Sequence, residues 1–204
     1  MSEPSPEAEV RPGLRERKKA KTRQAIQDQA LRLFREQGYD RTTVEQIADA
    51  AEVSPSTFFR YFPTKEDVVL YDALDAPLID AFRRQPPAMS ALRAMQAAMH
   101  EVWGALTPEE MDEQFERGRL AYTVPALRER YVVEMVRTTS VMVDLVAERL
   151  GRQADDFQVR VATGAAMGGI LAAMLPMFDG RPGADAIALV DDAVEVLEAG
   201  LTDL

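Results

Sequence analysis

Cysteine is absent from this 204-residue sequence, and histidine and tryptophan each occur only once. Without cysteine the chain has neither disulfides nor thiolate ligands, and His100 alone does not complete a usual zinc site. We therefore predict no bound metal and no cofactor. The sequence also lacks a histidine near a serine motif and a glycine-rich phosphate loop between a strand and a helix. We accordingly expect that the protein is not an enzyme.

Strongly apolar segments are scarce as well. Residues 1–13 are polar and rich in proline and glutamate, so we expect a disordered tail on a cytoplasmic protein. The one long uncharged run, residues 161–178, just reaches the length of a membrane span. It is rich in alanine and glycine, contains Pro176 and has no apolar partner segment. We therefore interpret this run as a buried helix and expect no membrane association.

Charge is unevenly distributed along the chain, whose net charge is −10. Residues 1–70 contain 12 basic and 12 acidic side chains, whereas residues 71–204 contain 12 and 22. Within residues 14–65 the balance is 11 basic to 7 acidic, and all four lysines lie there. This asymmetry favours a DNA-contacting end joined to an acidic part that phosphate repels.

Residues 44–69 carry the most specific local pattern, two short helices joined by a tight turn. From Val44, apolar residues recur at i, i+3, i+4 and i+7, which predicts one face of a helix. Glu52-Val53-Ser54 is the turn, and Ser54 then caps a second helix with Pro55 at its first position, where proline's missing N–H is not needed. Helix, three-residue turn and helix is a DNA-binding unit whose second helix enters the major groove.

Further residues extend this pattern in both directions. Gly38-Tyr39 ends a preceding helix, and residues 58–62 (FFRYF) and Lys65-Glu66 follow the turn. Over residues 16–69 the sequence therefore resembles the TetR family of bacterial repressors. Two positions differ from the family pattern. Glu52 replaces the usual turn glycine, so it either adopts a left-handed backbone or the turn is built differently, and Phe59 replaces the usual tyrosine.

The second helix, over residues 55–62, is the expected recognition helix. Arg60 is its one side chain able to bond guanine O6 and N7 together, and Phe59 can pack against a sugar or a thymine methyl group. Thr43 and Tyr61 are expected at phosphates, and the family resemblance adds Lys65 there. A basic run before the unit is either a solvated helix end or a further phosphate contact. The expected DNA-binding residues are Lys18, Lys19, Lys21, Thr43, Pro55, Ser56, Thr57, Phe59, Arg60, Tyr61 and Lys65.

No strand pattern follows this unit, and helical spacing continues to the C-terminal end. We predict an all-α protein with a disordered tail over residues 1–13 and a three-helix head over 14–64. A six-helix body for ligand binding and dimerisation follows over 65–204, and its first helix begins near Lys65.

Nine of the ten methionines lie between Met89 and Met177. Methionine adapts to irregular cavities, although a single methionine is more often ordinary core. The family resemblance implies an effector pocket in this region, and we expect an elongated apolar or acyl-type effector. The expected pocket residues are Met95, Met99, Trp103, Phe115, Tyr122, Tyr131, Met135 and Met174.

Small residues recur every four positions at Gly164, Gly168 and Ala172, a spacing that lets two helices approach closely. The partner helix belongs either to a second subunit or to the same chain, and the resemblance implies the former. The expected dimer interface is Gly164, Gly168, Ala172, Leu175, Val190, Val194, Leu197 and Leu201.

Together these features predict a ligand-responsive transcriptional regulator, in particular a repressor. It would bind a palindromic DNA operator as a homodimer and leave it when a small effector binds. The alternative is an all-helical adaptor that binds another protein without specific DNA binding. The adaptor hypothesis explains the acidic body but gives the basic head and Lys65 no role.

Overall fold

A computed structural model describes residues 13–178 and 185–200. All regular secondary structure in these two ranges is helical, as predicted. The helices are α1 Leu14–Gln37, α2 Val44–Ala50, α3 Pro55–Tyr61, α4 Lys65–Leu70, α5 Asp75–Arg84, α6 Ala91–Trp103, α7 Pro108–Thr123, α8 Pro125–Leu150, α9 Phe157–Phe178 and α10 Ala186–Ala199. Contacts divide the chain into unit one, up to Val68, and unit two, from Val69. The predicted tail, apart from Gly13, and Leu201 lie outside the described residues.

Unit one is built around a small apolar core in which α1, α2 and α3 meet. Ile26 of α1, Ile47 of α2 and Phe58 of α3 are fully buried, and Phe62 is nearly so. The Phe58 and Phe62 rings stand 6.0 Å apart between centroids, because a spacing of i and i+4 places both on one helix face. Both side chains therefore face the core of unit one.

The helix starts in unit one follow the predicted capping rules. Thr43 and Gln46 form the capping box of α2, in which the Gln46 amide donates to Thr43 Oγ1 at 3.3 Å and the Gln46 side chain accepts from the Thr43 amide at 2.9 Å. Ser54 Oγ accepts from the Thr57 amide at 3.1 Å, and Pro55 is the first residue of α3. These bonds satisfy amide groups that a helix start otherwise leaves without partners.

Glu52 adopts a left-handed backbone with φ of 53°. Of the two alternatives, a left-handed Glu52 or a differently built turn, the structure therefore has the first, and the Glu52 backbone is strained. The turn is a Schellman motif, since the Val53 amide bonds the Ala48 carbonyl and the Glu52 amide bonds the Asp49 carbonyl. The same motif ends α8, where Gly151 takes the left-handed position with φ of 62° and no side-chain penalty.

We expect Glu52→Gly to stabilise the protein by about 0.5–1 kcal/mol, because removal of the Cβ strain outweighs the added entropy of the unfolded chain. Asp49→Gly is the matched control, since Asp49 lies in α2 with helical backbone and glycine there should destabilise by about 1 kcal/mol. Urea unfolding midpoints measure both changes. Destabilisation by both substitutions would contradict a strained turn.

Unit two differs from the prediction at its start, where one helix was expected from Lys65 to the Pro86-Pro87 pair. The chain instead leaves helix after Leu70 and resumes it at Asp75. Asp72 Oδ1 accepts from the Leu74 amide at 2.9 Å, a side-chain bond that competes with helix continuation. Pro77 lies in the first turn of α5, where its missing N–H has no helical partner to lose.

The uncharged run predicted to be a buried helix forms most of α9, which contacts α7, α8 and α10. Ala166, Ile170 and Met174 of α9 belong to the core of unit two. Within the described ranges, α9 is the one helix long and apolar enough to span a membrane, a test that core helices also pass. The helix continues two residues past Pro176.

Candidate nucleic-acid interface and effector groove

The exposed side of α3 carries the residues predicted to read bases. Pro55, Ser56, Phe59 and Arg60 are all exposed, and the Phe59 side chain is 50% accessible although it is apolar. Phe58 of the same helix is fully buried. This contrast between exposed and buried side chains shows how α3 is oriented. One face of the helix packs on the core of unit one, and the other face remains open to a partner.

Polar groups at the start of α3 and two guanidinium groups near the Tyr61 ring complete this face. Ser54 Oγ lies 2.9 Å from Ser56 Oγ and donates to Thr57 Oγ1 at 3.0 Å, which orients all three hydroxyls. The Arg60 guanidinium lies 5.5 Å from the centroid of the Tyr61 ring, and that of Arg23 lies 5.9 Å away. Arg23 is a residue of this face that the sequence prediction omitted.

Lys65 is half-buried, and its ammonium donates to the Tyr39 carbonyl at 2.9 Å and to the Thr42 carbonyl at 3.1 Å. The nitrogen also lies 4.0 Å from the centroid of the Tyr39 ring. Two of the three ammonium donors are therefore occupied, which leaves one for the predicted phosphate contact. The main effect of Lys65 in this structure is to hold the loop between α1 and α2 that precedes Thr43.

The remaining predicted contacts lie on exposed surface of unit one. Lys18, Lys19 and Lys21 are exposed in the N-terminal part of α1. Thr43 is exposed; its hydroxyl oxygen accepts the capping bond, and its hydroxyl also hydrogen-bonds the Glu45 carboxylate. A backbone hydrogen bond and then this bond from Thr43 lower the pKa of the Glu45 carboxyl.

Unit two contains an open groove of about 840 Å³ along α8 and α9. Three predicted pocket residues line it, Tyr122, Tyr131 and Met135. The other five do not line this groove, because their side chains face the bundle interior. Met95 and Met174 are buried in the core cluster, and the partly buried residues packed against it include Met99, Trp103 and Phe115.

The sequence prediction missed most of the groove lining, which comes from the exposed sides of α8 and α9. Val132, Val136 and Val143 line it from α8, and Phe157 and Val161 from α9. The α8 positions follow helical spacing of i, i+4 and i+11, a signal present in the sequence. It was missed because apolar periodicity alone does not show whether a stripe faces the core or an open groove.

The residues predicted at the dimer interface lie in two different environments in the structure. Val190 and Val194 are fully buried inside unit two, so their assignment to a subunit contact was wrong. Leu197 also packs against the core of unit two. It lies close to Gly169 of α9, where an added Cβ would be 3.1 Å from Leu197 Cδ1. The α9 positions differ from these, since Gly164, Gly168 and Leu175 line the groove and Ala172 is exposed.

A polar network lies where α4 ends and the groove begins. Arg117 of α7 is only 14% exposed and pairs with Asp72 at 2.5 Å between Nη2 and Oδ2. Its Nη1 donates to the Val69 carbonyl of α4 at 3.3 Å. Burial raises the pKa of Tyr131. Arg117 lowers this pKa and Asp72 raises it, both by less than burial does, so this groove residue lies close enough to the ion pair to feel its charges.

Asp75 extends the acidic side of this network. The pKa of its carboxyl is raised to about 6, chiefly by burial and then by Asp72 and Glu134, while Arg117 opposes these effects. Between about pH 4 and pH 6 the folded protein therefore binds more protons here than the unfolded chain, so its stability falls as the pH rises through that window.

We expect Asp75→Asn to raise the free energy of unfolding near pH 7.5 by up to about 1 kcal/mol, a value reduced because Asp75 retains exposed surface. The difference from the parent protein should be much smaller near pH 4, where the carboxyl is protonated in the folded state and only about half ionised in the unfolded chain. Urea midpoints at the two pH values measure the effect. Asp80→Asn on the same helix is the control, and an equal gain from it would exclude a specific role for Asp75.

Two family models match the chain. The model described as bacterial regulatory proteins of the tetR family matches residues 26–71, and the model described as the MftR C-terminal domain matches residues 89–202. The second match spans more than half of the chain and lies wholly within unit two.

Curated relatives are transcriptional regulators. The chain is 37% identical over 152 residues to the HTH-type transcriptional regulator TcmR of Streptomyces glaucescens, which covers 71% of this chain and 67% of the relative. It is 29% identical over 85 residues to the HTH-type transcriptional repressor KstR of Rhodococcus jostii, with 41% and 40% covered.

Solved structures share the fold. FadR of Thermus thermophilus, a TetR family transcriptional repressor in complex with lauroyl-CoA, aligns with a TM-score of 0.54 at 23% identity and covers 88% of this chain and 94% of that one. The fatty acid degradation regulator FadR from Bacillus halodurans aligns with a TM-score of 0.61 at 21% identity, with 87% and 98% covered.

Proposed function

The chain belongs to the TetR family of bacterial transcriptional regulators, and we propose that it binds a palindromic operator as a homodimer and represses transcription there. An elongated apolar or acyl-type effector releases it. Residues 14–64 bind DNA, residues 65–204 bind the effector and the second subunit, and the protein works on the nucleoid in the bacterial cytoplasm. The regulators that it matches are not enzymes.

The observation that carries this proposal is the exposed face of α3. Phe58 anchors the helix while Ser56, Phe59 and Arg60 project from the opposite side. An arginine in this position bonds a guanine edge, and an exposed phenylalanine contacts a sugar or a thymine methyl group. The lysines of α1 bind phosphate, which orients the unit on the duplex without specifying sequence.

A homodimer follows from the small number of contacts that one such face offers. Two copies related by a twofold axis read two half-sites, roughly 34–36 Å or a multiple apart. For the second subunit we propose the small-residue edge of α9 at Gly168 and Ala172, both exposed, so that the subunit contact borders the groove that Gly168 also lines. Small residues allow two helix backbones to approach closely.

Effector release is supported by the position of the groove beside the Arg117 network. Tyr131 lines the groove, and Arg117 bonds both Asp72 and the Val69 carbonyl at the end of α4. Helix α4 also bears the Val68 carbonyl, which accepts from Gln27 of α1 at 2.7 Å. A ligand that displaces Tyr131 would favour a second position of α4 and so alter the spacing of the two heads.

Named relatives support the finer parts of the proposal. KstR is described as a repressor, and the Thermus thermophilus FadR structure contains lauroyl-CoA. An open apolar groove of about 840 Å³ in unit two suits a ligand of comparable extended shape.

Selection of random DNA duplexes by the purified protein, read by sequencing, tests the proposal. We expect a palindrome whose half-sites lie about one helical turn or a multiple apart. Sedimentation of the protein at the same concentration should give the mass of a dimer. The selection is done at low salt, with bound ligand removed by refolding. If no sequence is then enriched, operator binding is refuted and the alternative of a protein-binding adaptor is favoured.

A further inference from the structure

The groove on unit two has a charge opposite to the net charge of residues 71–204. Residues 71–204 carry 22 acidic and 12 basic side chains, yet none of the described residues that line the groove is an aspartate or a glutamate. Its two charged lining residues are Arg128 of α8 and Arg160 of α9. An apolar groove whose charges are all positive selects for a ligand that is both apolar and anionic.

Neither guanidinium has an acidic partner within the residues that the structure describes. Other arginines of unit two are paired, for example Arg93 with Glu198, Arg117 with Asp72 and Arg152 with Asp156. Arg128 and Arg160 are exposed and make no ion pair with a described carboxylate. Both are therefore available to an anion that enters the groove.

The two arginines lie at opposite ends of the groove. Helices α8 and α9 contact each other and are joined by the short connection 151–156, so they run antiparallel. Arg128 and Arg160 each occupy the fourth position of their helices, and the groove continues along α8 from Arg128 to Val143. Fifteen residues of helix span roughly 22 Å, which separates the two ends too widely for one small head group.

The geometry points to an elongated ligand with an apolar middle and an anionic group at each end, of the chemical class of long-chain dicarboxylates. One carboxylate pairs with Arg128 beside Tyr122 and Tyr131, and the other pairs with Arg160 beside Phe157. This inference rests on the proposed function, in which the groove is the effector site. It adds a charge requirement at both ends to the apolar or acyl character proposed above.

Three ligands with the same sixteen-carbon chain test the inference by calorimetric titration of the full-length protein, below their micelle concentrations. These are hexadecanedioate, hexadecanoate and hexadecanol. We expect affinity to fall in that order by about 1.5- to 5-fold per lost carboxylate, the range for solvent-exposed ion pairs. Added salt should weaken binding of the diacid most and leave that of the alcohol unchanged.

Variants locate the two ends. Arg128→Gln and Arg160→Gln should each lower the affinity for the diacid to that for the monoacid, and the double variant should bind all three ligands equally. Arg137→Gln is the matched control, because Arg137 lies on α8 with a 78% exposed side chain and does not line the groove. All variants change exposed residues, and unchanged circular dichroism would show that they are folded.

Equal binding of diacid and monoacid would overturn the two-ended site, and equal binding of all three would overturn charge recognition. Binding of none, by a protein that sediments as a dimer, would show that a second subunit covers the groove and would also overturn the inference. Operator affinity of the ligand-free protein is measured in parallel. If the protein binds the operator but none of the three ligands, this inference is wrong and the proposed function stands. If the ligands bind in the expected order but the operator does not bind, only the proposed repressor function is wrong.

Discussion

Arg60→Ala is expected to weaken binding to the selected operator by about 1–3 kcal/mol per half-site, or roughly 2–6 kcal/mol for a dimer that reads both. Arg60 is exposed on α3, and its guanidinium can bond two acceptors on one guanine edge, which alanine cannot replace. Fluorescence anisotropy with labelled operator and with a scrambled duplex measures the effect. The operator affinity should approach that for scrambled DNA, while the scrambled-duplex affinity changes little.

Arg35→Ala provides the matched control for Arg60. Arg35 is an exposed arginine of the same unit, in the last turn of α1 rather than on α3. Its loss removes the same charge and should leave the preference for the operator over the scrambled duplex intact. Equal losses from both variants on both duplexes would show that Arg60 acts through general electrostatic attraction and not through base contact.

Arg117→Met is expected to lower the free energy of unfolding by about 2–3 kcal/mol and to weaken effector release of the operator. The substitution leaves Asp72, which is 29% exposed, without its ion-pair partner and removes the bond to the Val69 carbonyl. Loss of one member of a fully buried pair costs about 3–5 kcal/mol, and partial exposure reduces that value here. Urea unfolding measures stability, and operator anisotropy with and without hexadecanedioate measures release.

Arg119→Met is the control for Arg117, since Arg119 lies on the same helix and pairs with Glu116 of that helix. It should cost under about 1 kcal/mol because the pair is local and partly exposed. The double variant Arg117→Met with Asp72→Asn should recover part of the lost stability, because it removes the unpaired carboxylate. If Arg117→Met unfolds at the parent midpoint and its operator is released normally, α4 is not held by this network.

The head was predictable in detail because its determinants are local. The N-cap at Ser54 and the helix face shared by Phe58 and Phe62 depend on residues three or four positions apart. Such spacings are set by helix geometry whatever the rest of the chain does. The Lys65 contacts were not predictable, because they join residues 23 and 26 positions apart.

The body was predictable as helices but not as a site. Methionines were expected around a cavity, yet Met95 and Met174 fill the core, and the groove is lined by valines of α8 that no composition argument singled out. An apolar stripe at helical spacing looks the same in sequence whether it meets another helix or an open groove. Val190 and Val194 illustrate the reverse error, since a stripe assigned to a partner subunit is satisfied within one chain.

By itself the sequence determined the all-α class, the position and caps of the helix-turn-helix unit, the separation of charge and the family resemblance, because each depends on short spacings or on composition. Only the tertiary structure decided which apolar stripes are core and where the groove lies, with Arg128 and Arg160 at its two ends. It also decided that Arg117 bonds Asp72 and the Val69 carbonyl. These outcomes depend on the rotation and pairing of helices far apart in the chain. That arrangement is fixed by packing of the whole unit and not by any local segment.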